Sequence, residues 1–168
     1  MSDVTVTPAD STRRALRGAD ATQAATLALI ERAERALVVY APLVIPALFN
    51  GTAPTRALMQ FAARHRQNVV RWLVDDAQQA LRDNDRLMNA SRRLRDVIKW
   101  HEVAHDDRGG SDMFLIADGR ACVYLPDRLR HDGEWAEVKD MLPIELQKRF
   151  EQLWERSQPA MALSPVGL

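Results

Sequence analysis

The chain has 168 residues, 46% hydrophobic and 27% charged, with 23 basic and 23 acidic side chains. That length and apolar share suit one folded domain and exclude a disordered chain, while a formal net charge of zero argues against a basic coat for nucleic acid. The lone cysteine, Cys122, excludes an intramolecular disulfide framework and any zinc site made mainly of thiolates. Only Lys99, Lys139 and Lys148 among the basic residues are lysine, so a site that needs a lysine has few candidates.

No apolar run approaches the roughly 20 residues needed to span a bilayer. The start, MSDVTVTPADSTRR, lacks a charged-then-apolar signal pattern, so the expected compartment is the cytoplasm. Residues 1–12 are polar and read as a flexible N-terminus. A single domain is expected over 13–158, followed by a flexible tail over 159–168.

In chain order, Arg13 to Arg17 reads as a short edge strand or a helix start. Asp20 and Gln23 have capping-box spacing, and Ala24, Leu27, Ala28, Ile30 and Ala33 predict a helix near 20–35. The run Ala36–Ala41 is a buried strand stopped by Pro42. Thr52 or Thr55 can cap the next helix, whose apolar side is Leu58, Met59, Phe61 and Ala62. Val69–Val74 is a second strand, and Asp75 or Asp76 caps a helix over 76–95, the best helical pattern in the chain.

Val97–Val103 is the third strand. Alternation puts Lys99 and His101 on one face, and Trp100 and Glu102 on the other. A polar stretch with Gly109-Gly110 follows. Asp118-Gly119, between the runs Met113–Ala117 and Arg120–Leu125, is a strong hairpin signal. Pro126 to Lys139 reads as a charged loop. A last helix starts near Pro143 with the stripe Ile144, Leu146, Phe150, Leu153 and Trp154.

Strands alternating with helices predict an α/β fold, a three-layer α/β/α sandwich. The sheet is expected to be mixed and largely parallel, with helices on both faces.

Chemistry is sparse. Neither strand-to-helix link is glycine-rich, so nucleotide-binding loops fail on context and no cofactor is expected. His101, His105, Asp106, Asp107 and Asp112 carry metal-ligand chemistry, but strand geometry separates the two histidines, and no metal is expected. Asp75 and Asp76 are explained by capping. Ser111 and His105 form a conceivable Ser–His pair without a nucleophile-elbow pattern. Ser91 and Cys122 read as packed groups, and the four tryptophans as core or edge packing.

Ser111-Asp112-Met113-Phe114-Leu115-Ile116-Ala117-Asp118-Gly119 resembles the HxKxxxxD segment of one repeat of the phospholipase D superfamily, with Asp118 at the family's aspartate. The segment Leu146 to Ser157 resembles that family's closing helix. The resemblance implies the family's α/β/α sandwich, and a homodimer in which a second copy supplies the missing half-site. Trp100, Trp135 and Met113 are interface candidates. The departures bear on function. Ser111 stands at the nucleophilic histidine and Met113 at the phosphate-holding lysine. Leu125-Pro126-Asp127-Arg128 stands where GSxN would fall. Serine without a base is a poor substitute for imidazole, and methionine supplies no charge for a developing oxyanion.

The expectation is therefore a bacterial-type, catalytically inactive phospholipase D-like domain acting as a binding or scaffold module with an unknown protein partner. Nucleic acid is not the expected partner. One alternative is a divergent phosphodiesterase or nuclease using His101, His105 or Ser111. The other is a phosphate or nucleic-acid binder using Arg71, Arg92, Arg93, Arg108 and Arg120, with His101, Arg108 and Arg120 as ligand-binding candidates.

Overall fold

The apolar run Ala36–Tyr40 can bury both faces only at the centre of a sheet covered on each side. The computed structural model, which describes residues 13–137 and 139–163, places it there. The elements are β1 (Arg13–Leu16), α1 (Ala19–Arg32), β2 (Ala36–Tyr40), α2 (Pro46–Phe49) and α3 (Thr52–Arg64). Next come β3 (Val69–Val74), α4 (Ala77–Asp83), α5 (Asp85–Arg93) and β4 (Ile98–Glu102). Then follow β5 (Met113–Ala117), β6 (Ala121–Leu125), β7 (Gly133–Glu137), α6 (Leu142–Arg156) and β8 (Gln158–Pro159). The expected flexible N-terminus, 1–12, lies outside the described residues, as does the 164–168 part of the tail expected over 159–168.

Among the described residues, eight strands form one sheet in the order β1-β7-β6-β5-β2-β3-β4-β8. Only β2–β3 and β3–β4 pair in parallel; every other pairing is antiparallel. The expected largely parallel sheet is thus corrected to a mixed sheet that is mostly antiparallel. The reason lies in the connections. A parallel crossover needs a dozen or more residues and usually a helix. Only a single 3-10 turn, His105–Asp107, stands between β4 and β5, and β5–β6–β7 follow through short turns.

Several elements differ from the sequence reading; neither Thr52 nor Thr55 caps α3, which begins behind Gly51. The charged 126–139 segment contains β7, in which only Gly133 and Ala136 are buried, so little alternation shows. The helix expected over 76–95 is broken in two at Asn84. That residue is fully buried, leaves helical backbone geometry, and donates through Nδ2 to the carbonyls of Val44 (3.4 Å) and Ala80 (3.2 Å). The Asp20–Gln23 box does not form: α1 begins at Ala19 behind Gly18, which has no side chain to cap with.

Other local signals are borne out. Asp76 caps α4, accepting from the backbone N–H of Gln78 at 2.8 Å and of Gln79 at 3.4 Å. Asp118 and Gly119 take φ values of 56° and 65°, the left-handed pair that a tight hairpin turn requires.

Alternate residues of each strand feed two cores. Leu37, Val39, Val70, Trp72, Trp100 and Leu115 pack under α1 to α5. There the Trp72 ring stacks on Trp100 at 4.6 Å and meets Phe49 edge-on at 4.9 Å. Val38, Tyr40, Leu73, Phe114, Ile116 and Cys122 face Leu146, Phe150 and Leu153 of α6. The expected cover on both faces is present but lopsided, because α6 is the helix that supplies this second core. At the far edge, Gln158 and Pro159 pair with β4, and Ala160 is buried. No helix among the described residues is long and apolar enough to cross a membrane.

Because α6 covers its face through few side chains, truncating the central one should be costly. Phe150→Ala should destabilise the fold by about 3–5 kcal/mol, read as a lower urea midpoint at unchanged slope.

Candidate functional site

The chain runs β2 to β3 to β4 on one side and then returns to place β5 on the other side of β2. Such a reversal leaves a crevice outside the carboxyl ends of the parallel strands, the usual ligand position in α/β sheets. The start of β5 and the end of β6 reach the same rim, since Phe114 pairs with Tyr40 and Met113 with Leu125. The rim therefore collects Tyr40, Asp75, the Gly109–Asp112 loop and Arg128.

This crevice is filled by its own loop. The Gly109 N–H donates to Asp75 Oδ2 at 2.9 Å. Arg128 donates through its guanidinium to the Gly110 carbonyl, and through its backbone N–H to the Ser111 carbonyl at 2.8 Å. Gly110 lies so close to the Tyr40 hydroxyl that a Cβ there would overlap it. Here glycine is required by close approach, not by its φ. Burial pushes the Tyr40 phenol up to about 12, so it stays neutral. Asp75 Oδ1 and Arg128 Nε are buried in this plug without a hydrogen-bond partner among the described residues.

Behind the plug, Asp112 is clamped. Arg149 on α6 holds it through two hydrogen bonds of 2.5 and 3.0 Å, and the Tyr124 hydroxyl donates to it at 3.1 Å. The Arg149 guanidinium also lies 5.0 Å over the Tyr40 ring and 5.7 Å over the Phe114 ring. The hydrogen bond to Asp112 holds the Arg149 pKa above its ordinary value. The Tyr124 pKa is raised by burial and by the Asp112 charge. The carboxylate thus serves to lock α6 against the sheet end.

The sequence-predicted residues scatter around this plug. Ser111 is exposed, with no hydrogen bond to His105. Met113 is 1% exposed and packs into the core beneath the helices with Leu115 and Ala117. An ammonium group there would have to be buried without a partner. Asp118 sits at the opposite end of β5, on the order of 20 Å away at strand rise. Its carboxylate accepts the backbone N–H groups of Glu34, Arg35 and Ala36 at 2.9, 2.8 and 3.0 Å. It pins the hairpin to the entry of β2.

His105 is exposed on the 3-10 turn, and Arg108 reaches only Val103 and, at 3.9 Å, Glu102. Arg120 is exposed beside Asp118, with Arg32 and Arg35 nearby at the hairpin end, and does not meet the other candidates. Trp100 and Met113, suggested as interface residues, are core residues, while Trp135 is half-buried under Arg14 and Arg32. Arg71 is held by Glu151 on α6. Ser91 is packed, donating to the Leu87 carbonyl and accepting from the Trp100 indole N–H at 3.1 Å. Burial pushes the Cys122 thiol up to about 12, where it is inert. Among the described residues no three His, Cys, Asp or Glu side chains converge as a metal site.

His101 lies on the α6 face. Its ring stacks on Trp154 at 3.7 Å, and its Nδ1 is 2.8 Å from Ser157 Oγ. Ser157 already donates to the Trp154 carbonyl, so Nδ1 carries the proton and donates to Ser157. Burial, and then the Arg71 charge, hold this imidazole below its ordinary pKa.

The clamp of Arg149, Asp112, Tyr124 and Tyr40 escaped the sequence reading. One signal was present: Arg149 falls at the edge of the apolar stripe, three residues after Leu146 and four before Leu153. A charge at that position faces inward and needs a partner.

The architecture is similar to that of the phospholipase D family. Nuc from Salmonella typhimurium, a phospholipase D family member, matches with a TM-score of 0.61 at 14% identity, over 88% of this chain and 98% of that one. NucT from Helicobacter pylori matches with a TM-score of 0.62 at 9% identity, over the same shares, 88% and 98%. TrmBL2, an archaeal chromatin protein with a novel mode of DNA binding, matches with a TM-score of 0.64 at 10% identity, over 92% of this chain. The chain spans 57% of the length of TrmBL2. At these identities the likeness is one of fold. No curated protein matches the sequence. The family model described as "Domain of unknown function (DUF7931)" matches residues 18–165, and the chain belongs to that family.

Two predictions test this geometry. Gly110→Ala should cost about 1–3 kcal/mol through its clash with the Tyr40 hydroxyl. Adding Tyr40→Phe should recover most of that loss in urea denaturation, because the next contacts of the new Cβ are at 3.3 Å or more. For His101, the folded imidazole takes its proton at lower pH than the unfolded one, near 6.5. The unfolded chain therefore binds more protons in that window, and stability is lost as pH falls through it. The NMR titration of His101 should have its midpoint below 6.5, and His101→Phe should lose less stability than wild type between neutral and mildly acidic pH.

Proposed function

We propose that the chain is a phospholipase D-like domain that has kept the fold and lost the phosphoryl-transfer site, and that it works as a binding or scaffold module. The filled crevice carries this reading. Gly109 and Gly110 close over Tyr40 and Asp75, under two bonds from Arg128, where a phosphodiester would have to enter. The residues at the motif positions agree. Ser111 has no base within hydrogen-bond reach among the described residues, Met113 is core, and the Asp118 carboxylate is occupied by three backbone N–H groups. Attack on phosphorus needs an oriented nucleophile and cationic donors at the transferring group. His105 has no orienting partner among the described residues, and Arg149 is committed to Asp112.

With bis(p-nitrophenyl) phosphate as a generic phosphodiester, the purified chain should release nitrophenol no faster than buffer. Hydrolysis above buffer that disappears in His105→Ala would overturn the reading and favour the divergent phosphodiesterase.

A further inference from the structure

The outer surface of α3 and α5 carries a groove of about 590 Å³ that shares no residue with the filled crevice. Its lining includes Met59, Ala63 and Ala90, and its charged residues are Arg56, Arg86 and Arg93. Met59 is one of the few large apolar side chains left open, at 37% exposure. No carboxylate lines the groove, and none of the salt bridges among the described residues uses these three arginines.

The two helices that form the groove carry charge of the same sign. α3 and α5 together hold five arginines and one acidic residue, Asp85, in a chain whose net charge is zero. Positive charge is therefore concentrated along these two helices. Arg86 and Arg93 are seven residues apart on α5, so they project from one side of the helix roughly 10 Å apart. Ala63 and Ala90 are small, and a docked backbone can approach closely between them.

We propose that this groove takes an acidic amphipathic helix of a partner protein. The partner's apolar stripe would cover Met59, Ala63 and Ala90. Carboxylates two turns apart on that helix would meet Arg86 and Arg93, with a third facing Arg56. This is the helix-in-groove mode of recognition, with charge setting specificity and encounter rate. A nucleic-acid backbone would satisfy the arginines but leave the apolar floor against phosphate and sugar. No aromatic ring lines the groove for a base to stack on. The inference names a partner class for the binding-module reading, yet it rests on a separate surface, so it can fail while the crevice stays inert.

The test is a display selection of helical peptides of about four turns against the full chain. Enriched peptides should carry an apolar stripe flanked by Glu or Asp at i and i+7. Their affinity for Arg56→Glu/Arg93→Glu and for Met59→Arg should fall about tenfold or more. Arg56→Lys/Arg93→Lys should keep most of it, and unchanged urea midpoints would show that the variants are folded. Three results overturn the proposal: no enrichment, enriched peptides without acidic residues, or affinity unchanged in the charge-reversal variant. A short DNA duplex that binds the wild type, loses binding in the same variant and displaces the peptides would assign the groove to nucleic acid instead.

Discussion

β5 is held between β2 and β6 by antiparallel pairing, with Phe114 opposite Tyr40 and Ala117 opposite Leu37. Both ends of the strand take their roles from this register. At one end, Gly110 is carried over the Tyr40 hydroxyl and Asp112 under Arg149. At the other, Asp118 is carried under the backbone of Glu34 to Ala36. A slip by one residue would exchange the two faces of β5. Leu115 would leave the core under α1 to α5, and the Asp112 clamp would lose its carboxylate. The crevice is closed because this strand has one acceptable register.

The arginines divide into two populations. On the α6 side they are spent on structure: Arg71 on Glu151, Arg149 on Asp112 and Arg156 on Asp107. Arg71 also stacks over Phe150 and Trp154, and Arg149 over Tyr40 and Phe114. A planar guanidinium can pair and stack together in a way an ammonium cannot, which suits a chain with three lysines. Around α3 and α5 the arginines of the groove make no such salt bridges among the described residues. Zero net charge therefore conceals two uses of arginine, paired with carboxylates beside α6 and lining a groove without them on α3 and α5.

Much of the fold was legible in the sequence. The helix–strand successions from α1 to β4, the Asp118-Gly119 hairpin, the Asp76 cap and the closing helix each show in local residue patterns. Strand direction and the edges were less so. β7 buries only Gly133 and Ala136, and β1 is exposed over most of its length, so neither shows the alternation that marks a half-buried strand. The break at Asn84 depends on a carbonyl forty residues away in sequence, at Val44. Periodicity alone reports an unbroken helix there. Ser111 and Met113 were readable only as residue types, one polar and one apolar. The clamp on Asp112 was not, because its four members come from β2, the loop before β5, β6 and α6.

By itself the sequence determined what depends on residue type and local spacing: an α/β chain, a lone cysteine in an apolar run, and the Asp118-Gly119 hairpin. Tertiary structure decided what depends on pairs distant in the chain. It made the sheet mostly antiparallel, because the link between β4 and β5 has no crossover helix. It also decided that Gly109 and Gly110 would close the crevice, since only the pairing of β5 with β2 brings that loop onto Tyr40. The zero net charge is fixed by composition, but the electropositive groove on α3 and α5 comes from packing. Folding sets which carboxylates reach which arginines, and the three that line the groove form no salt bridge among the described residues.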